Sequence, residues 1–155
     1  MFMRYIICVK ENDINVSKLQ NRKIDMNDSA TETMIDVNEV IEAYIEAALW
    51  STTDESDENG GEPMDLNYTK DDIDPESLQR IIVDCTQFVH DNIELIKAGN
   101  ITSEMVGYDF WLTRNGHGCG FFDRDLGDIG DKLTDICDEW GELHPYVGDD
   151  GKIYF

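Results

Sequence analysis

The stretch Arg114-Asn115-Gly116-His117-Gly118-Cys119-Gly120 gathers the residue types best able to do chemistry in this chain. Three glycines let a backbone approach a ligand closely or take a positive φ. His117 can serve as a general base, and Arg114 can hold an anion. Asp109, Asp123 or Asp125 can orient the imidazole. The candidate ligand site is therefore Arg114, Asn115, His117 and Asp123. The same residues also make a plain tight turn, with Arg114 paired to a carboxylate and His117 in a polar niche. That structural reading is preferred, because no nucleophile or second acid stands in a fixed relation to His117. No catalytic residue is assigned.

Two metal patterns come close and fail. His117, Cys119, Cys137 and His144 are zinc-type ligands, but the His-Gly-Cys spacing is too tight for the usual pairs and no Cys-x-x-Cys occurs. From Glu55, a calcium-loop pattern places Asp57, Asn59 and Gly60 correctly, but its twelfth position is Leu66, which cannot ligate. No phosphate-binding glycine loop precedes a helix, and no Ser/His/Asp pattern is defensible. No metal or cofactor is expected.

Charge is the other chemistry on offer. The 155 residues carry 34 acids and 12 bases, a net of −22. Residues 1–23 hold five bases and two acids; the other 132 residues hold 32 acids and seven bases, a net of −25. From Ile24 to Thr69 there are 13 acids and no base. Such a field repels nucleic acid and membrane headgroups and attracts basic surfaces. Direct nucleic-acid or membrane binding is not expected. Glu39, Glu42 and Glu46 fall at helical spacing, and Asp54, Asp57, Glu58 and Glu62 follow on the next loop. Carboxylates three or four residues apart on a helix stand ~5–6 Å apart. That is comparable to phosphates along one DNA strand, so the row can compete for a basic cleft by mimicking DNA.

These residues need elements to hold them. Arg4 to Lys10 reads as a short strand, and Glu11 to Ile35 as a polar linker, giving an N-terminal extension over 1–36. Residues 37–155 read as a single α+β domain. Asp36 caps a helix over Val37 to Trp50, with Glu39 completing a capping box. Ser51 to Asp74 reads as a long acidic loop. Asp74-Pro75 opens a second helix that ends at Gly99. Tyr108–Thr113 and Gly120–Asp123 read as two strands, because Asn-Gly is a strong hairpin signal. Leu126 to Trp140 reads as a third helix. His144–Val147 and Lys152–Phe155 form a last hairpin. The expected fold is about three helices packed with a small, mostly antiparallel sheet of two hairpins and the N-terminal strand. The scattered cysteines read as reduced thiols of a cytosolic protein. The start of the chain has no charged leader, so no signal peptide is expected. Trp50, Trp111 and Trp140 read as core, with a groove lined by Trp111, Phe122 and Tyr146 as the alternative.

The run Asp109-Phe110-Trp111-Leu112-Thr113-Arg114-Asn115-Gly116-His117-Gly118-Cys119-Gly120-Phe121-Phe122-Asp123-Arg124 resembles the signature of a widespread, mostly uncharacterised family of small acidic bacteriophage proteins. Ala48–Asp54, Gly60–Asp65 and Tyr146–Tyr154 are similar to the same family. The likeness begins near Val37 and leaves residues 1–36 outside. Cys119 stands where a small Ala is usual, and Phe122 where Trp is usual. The resemblance implies a phage origin and action in the cytoplasm of an infected cell. It implies no catalytic residue.

Three functions follow. The leading one is an accessory protein that binds and inhibits a basic host protein, one that handles DNA or RNA or serves defence, through the acidic residues named above. The alternatives are a small enzyme or ligand-binding domain at Arg114–Gly120, and an assembly protein that oligomerises through its last strand.

Overall fold

The computed structural model describes residues 34–56 and 61–155. The expected strand at Arg4–Lys10 and the acidic residues Asp57 and Glu58 lie outside them. The described part is α+β, with four helices and two small antiparallel hairpins. Helix α1 spans Val37–Ser51, α2 Pro75–Ala98, α3 Ser103–Arg114 and α4 Asp128–Trp140. Strands β1 (Thr53–Asp54) and β2 (Glu62–Pro63) pair after α1, and β3 (Tyr146–Val147) and β4 (Ile153–Tyr154) pair after α4.

The helix starts follow from their caps. The Asp36 carboxylate accepts from Asn38 N–H, and the Asp74 carboxylate accepts from Glu76 and Ser77 N–H ahead of a proline at the first turn. Each supplies an acceptor for backbone donors that a helix start otherwise leaves unpaired.

Helix α3 corrects the expected hairpin at Tyr108–Asp123. Thr102 caps it by accepting from Met105 N–H. Its aromatic and β-branched run reads as a strand, but Val106, Gly107, Asp109, Phe110, Trp111, Leu112, Thr113 and Arg114 are all buried. From Val106 onward only Tyr108 is not fully buried, so the helix has almost no polar face and its sequence loses the 3.6-residue alternation. The Asn-Gly pair serves as its stop. Gly116 takes φ 63°, Gly116 N–H donates to Thr113 O, and His117 N–H donates to Leu112 O. That is a Schellman closure, which needs the same positive φ as a tight hairpin turn.

Helix α3 lies closest to α1. At Gly107 a Cβ would collide with Val40 O and stand 2.7 Å from the Ala43 Cβ. The helix backbones meet there because neither surface carries bulk. Around them Phe88 and Phe110 stack with centroids 4.0 Å apart, and Tyr44 leans on both Phe110 and Trp111.

The expected long loop Ser51–Asp74 holds the β1–β2 hairpin and two short 3₁₀ turns at Met64–Leu66 and Lys70–Asp72. The last hairpin forms as expected. Its outer strand is not a free edge, however, because Ile153 also bridges Ile73 and accepts from Asp74 N–H. Among the described residues, no helix is long and apolar enough to cross a membrane.

Candidate functional site

The end of α3 sends its neighbouring polar residues in different directions. Arg114, in the last turn, points inward, and its side chain is 3% exposed. Its Nε donates to Gly141 O (2.9 Å) and its Nη2 to Trp140 O (3.1 Å). Its Nη1 donates to Tyr44 Oη (3.0 Å) and to Asp84 Oδ2 (3.1 Å). The guanidinium carbon lies 5.4 Å from the Phe110 ring centroid and 5.8 Å from that of Trp140. One side chain on α3 thus ties α1, α2 and the end of α4 together. Burial pushes the Tyr44 hydroxyl well above its ordinary value, against the pull of the Arg114 charge. Arg114 is a buried tie and does not serve as a free anion holder.

The acids proposed to orient His117 are elsewhere. Asp109 is fully buried and takes a bidentate pair from Arg124, with Nη2–Oδ1 at 2.9 Å and Nε–Oδ2 at 3.0 Å. Burial raises the Asp109 carboxyl above the usual range, and Arg124 opposes the rise. Asp123 is exposed and stands in the field of that pair. Asp125 is exposed with φ 54°. Among the described residues, none of them hydrogen-bonds to His117.

Asn115 is structural as well. Its Nδ2 donates to Trp111 O, and its Oδ1 accepts from Leu143 N–H at 2.8 Å. It clips the end of α3 to the segment after α4. That clip forms one wall of a cleft of about 450 Å³. Asn115 and His117 line one side, the Ser51–Ser56 segment another, and Leu143–Val147 a third, with Met64 and Trp111 beneath. The Trp111 Nε1–H donates to Ser51 Oγ (2.8 Å), and the His117 ring lies 6.5 Å from the indole. Tyr146 is 59% exposed and stacks on Tyr154 at 5.5 Å. The expected groove of Trp111, Phe122 and Tyr146 is thus half formed, for Phe122 lies exposed on the turn at Phe121–Asp123 and does not line it. Trp111 is core, Trp140 partly buried and Trp50 exposed.

The cleft holds the hydroxyls of Ser51, Thr52, Thr53, Ser56 and Tyr146, two imidazoles and a carboxylate, and among the described residues no hydroxyl–imidazole hydrogen bond links them. Ser51 Oγ accepts from tryptophan, and among the described residues no imidazole bonds to it. A nucleophile paired with a base is therefore not assembled. Among the described residues, no group of three or more His, Cys, Asp or Glu side chains could hold a metal.

The acidic residues fall on exposed faces. Glu39, Glu42 and Glu46 share one side of α1, but two of them are engaged. Lys70 Nζ pairs with Glu42 at 2.6 Å. The Tyr108 hydroxyl stands beside Glu46, and its pKa is pushed up to about 12, first by burial and then by that carboxylate. Asp54 and Glu62 face each other across β1–β2. Hydrogen bonds from Ser56 hold the Asp54 carboxyl below its usual range.

Helix α4 carries the cleaner column. Asp128, Asp131, Asp135, Asp138 and Glu139 are all exposed and fall within about 100° of arc at ~3.6 residues per turn. Among the described residues none of the five has an ion-pair partner, and the helix carries one base, Lys132. Their i, i+3, i+7, i+10 spacing is plain in the sequence, though the expected binding face did not include them. Ser51, Glu55 and His144 of the cleft had no such signal, since only folding brings them to His117. The chain matches no family model, no curated protein and no solved structure, so the placement of its side chains is the ground for a functional reading.

Proposed function

We propose that this chain is a non-enzymatic phage accessory protein that binds and inhibits a basic host protein, covering a surface that otherwise handles nucleic acid. The observation that supports this reading is the carboxylate column of α4, without an ion-pair partner among the described residues, fixed on a helix and accompanied by the Glu39–Glu42–Glu46 side of α1. From Asp128 through Asp131 and Asp135 to Asp138 the carboxylates step by ~4.5–6 Å at ~1.5 Å rise per residue. A fixed row of anions costs little ordering when a basic groove closes on it. It also steers encounter by charge.

The test is competition. A basic partner captured by the full chain at low salt should be displaced both by duplex DNA and by raised salt, since screening shortens to ~3 Å at 1 M. Changing Asp128, Asp131, Asp135 and Asp138 together to Asn should weaken the complex about tenfold or more, at a few tenths of a kcal/mol or more per exposed charge. A partner that binds DNA and this chain simultaneously, or a quadruple variant of unchanged affinity, refutes the reading.

A further inference from the structure

The cleft beside His117 has a composition that the acidic faces do not explain. It is a concavity of about 450 Å³, within the ~300–1,000 Å³ range of sites that enclose a small ligand or a protruding side chain. Its exposed aromatic wall is Tyr146, held in place by the stack on Tyr154, whose own hydroxyl is tied to Asp150 Oδ2 at 3.0 Å. Its rim carries Glu55, an exposed carboxylate with no partner among the described residues. Its floor is Trp111, locked by the Ser51 hydrogen bond, so the pocket is pre-shaped and does not depend on collapse around a ligand. Among the described residues no Lys or Arg lines it, and it opens on a chain of net charge −22. An anion there meets the repulsive field of the whole chain, with only hydroxyls, the Asn115 amide and the His117 and His144 imidazoles to hold it.

We infer that this cleft receives an arginine side chain of a protein partner, with the planar guanidinium laid on the Tyr146 ring and its edge paired with the Glu55 carboxylate. Arginine is favoured over lysine because its flat, weakly hydrated head stacks on an aromatic face while still presenting a fork to a carboxylate. The inference rests on the proposed binding of a basic partner and names one contact within it. The acidic helix faces supply attraction at a distance, and the cleft supplies a seat for one residue.

The contact can be tested without the partner. Isotope-labelled full-length protein is titrated with N-acetyl-arginine amide and, separately, with the neutral isostere N-acetyl-citrulline amide, following the Trp111 indole N–H by NMR. The arginine probe should shift the Trp111 and Tyr146 resonances in a saturable way, leave the Trp140 indole, which does not line the cleft, still, and bind several-fold more tightly than the citrulline probe. Tyr146→Ala should weaken the arginine probe about two- to five-fold, and Glu55→Gln about two- to five-fold. Both residues are exposed, so neither change threatens the fold, and an unmoved Trp140 resonance checks this. Equal affinity for arginine and citrulline, no saturable shift at Trp111, or full affinity in both variants overturns the assignment. Failure of the probe alongside DNA-competed capture of a basic protein sinks the cleft contact alone. A bound probe with no DNA-competed partner sinks the inhibitor reading and leaves the cleft.

Discussion

Replacing Arg114 by methionine keeps most of the side-chain bulk between Phe110 and Trp140 and removes all four hydrogen bonds of the guanidinium. The cost can be worked group by group. Asp84 is 28% exposed on its side chain, so water recovers part of its solvation. Trp140 O and Gly141 O end a helix and recover some too. Tyr44 is fully buried, and its hydroxyl loses its partner with no water to replace it. Breaking one side of a buried ion pair costs about 3–5 kcal/mol, and the partial exposure of Asp84 places this variant toward the lower part of that range. A further ~1–3 kcal/mol is due for the orphaned hydroxyl. The expected loss is about 4–5 kcal/mol, a large share of the ~5–15 kcal/mol that holds a domain together. Arg114→Lys keeps the charge but cannot serve four acceptors with one ammonium, so it should lose roughly half as much. Urea unfolding followed by near-ultraviolet circular dichroism reads both. If Arg114→Met falls within about 1 kcal/mol of the parent, as ordinary surface changes do, the buried tie is not what holds these helices. Arg114 would then return to the list of binding residues.

Three other outcomes follow from the same structure. Gly107→Ala should destabilise by about 1–3 kcal/mol or more, since the added methyl meets backbone on α1 that cannot swing aside; a neutral melting temperature would contradict the close α1–α3 crossing. Asn115→Ala should cost about 1–3 kcal/mol through two lost hydrogen bonds, while His117→Ala, at an exposed position, should stay within about 0.5 kcal/mol; equal effects on thermal unfolding would reverse the roles assigned here. Asp109 has a folded-state pKa raised above its unfolded value, mainly by burial. The folded state thus binds its proton more tightly, and stability from this group rises as pH falls through the raised value toward the unfolded one. Chemical denaturation at a series of mildly acidic pH values should show the parent gaining on Asp109→Asn as pH falls, and a parent that loses ground to the variant would mean that the pair with Arg124 dominates instead.

The legible parts of this fold are those where one face is wet. Helices α1, α2 and α4 announce themselves through Asp36, Asp74-Pro75, Gly99 and an amphipathic stripe. The β3–β4 hairpin is announced by the glycines on either side of Asp149-Asp150. Helix α3 hides because burial of nearly every residue after its first turn erases the period. Its end misleads because Asn115-Gly116 satisfies two structures that share one backbone requirement. The β1–β2 strands, at two residues each, are too short to show alternation. The candidate site divides in the same manner. Asn115 and His117 line a cleft. Arg114, one residue before Asn115, turns into the core because a helix separates neighbours by ~100° and the chain reverses directly after it.

Helix α4 has acids in its last turn, Asp138 and Glu139, and no base there. By itself that is a poor ending, since the carbonyl end of a helix dipole is negative and favours a cation. The guanidinium of Arg114, reaching Trp140 O and Gly141 O from beneath, delivers the cation from a different helix. The positive end-charge is thus kept indoors. Because of that arrangement, the outward side of α4 can remain anionic to its final residue. A lysine grafted at Asp138 would gain little for the helix and would blemish a face that has no ion-pair partner among the described residues.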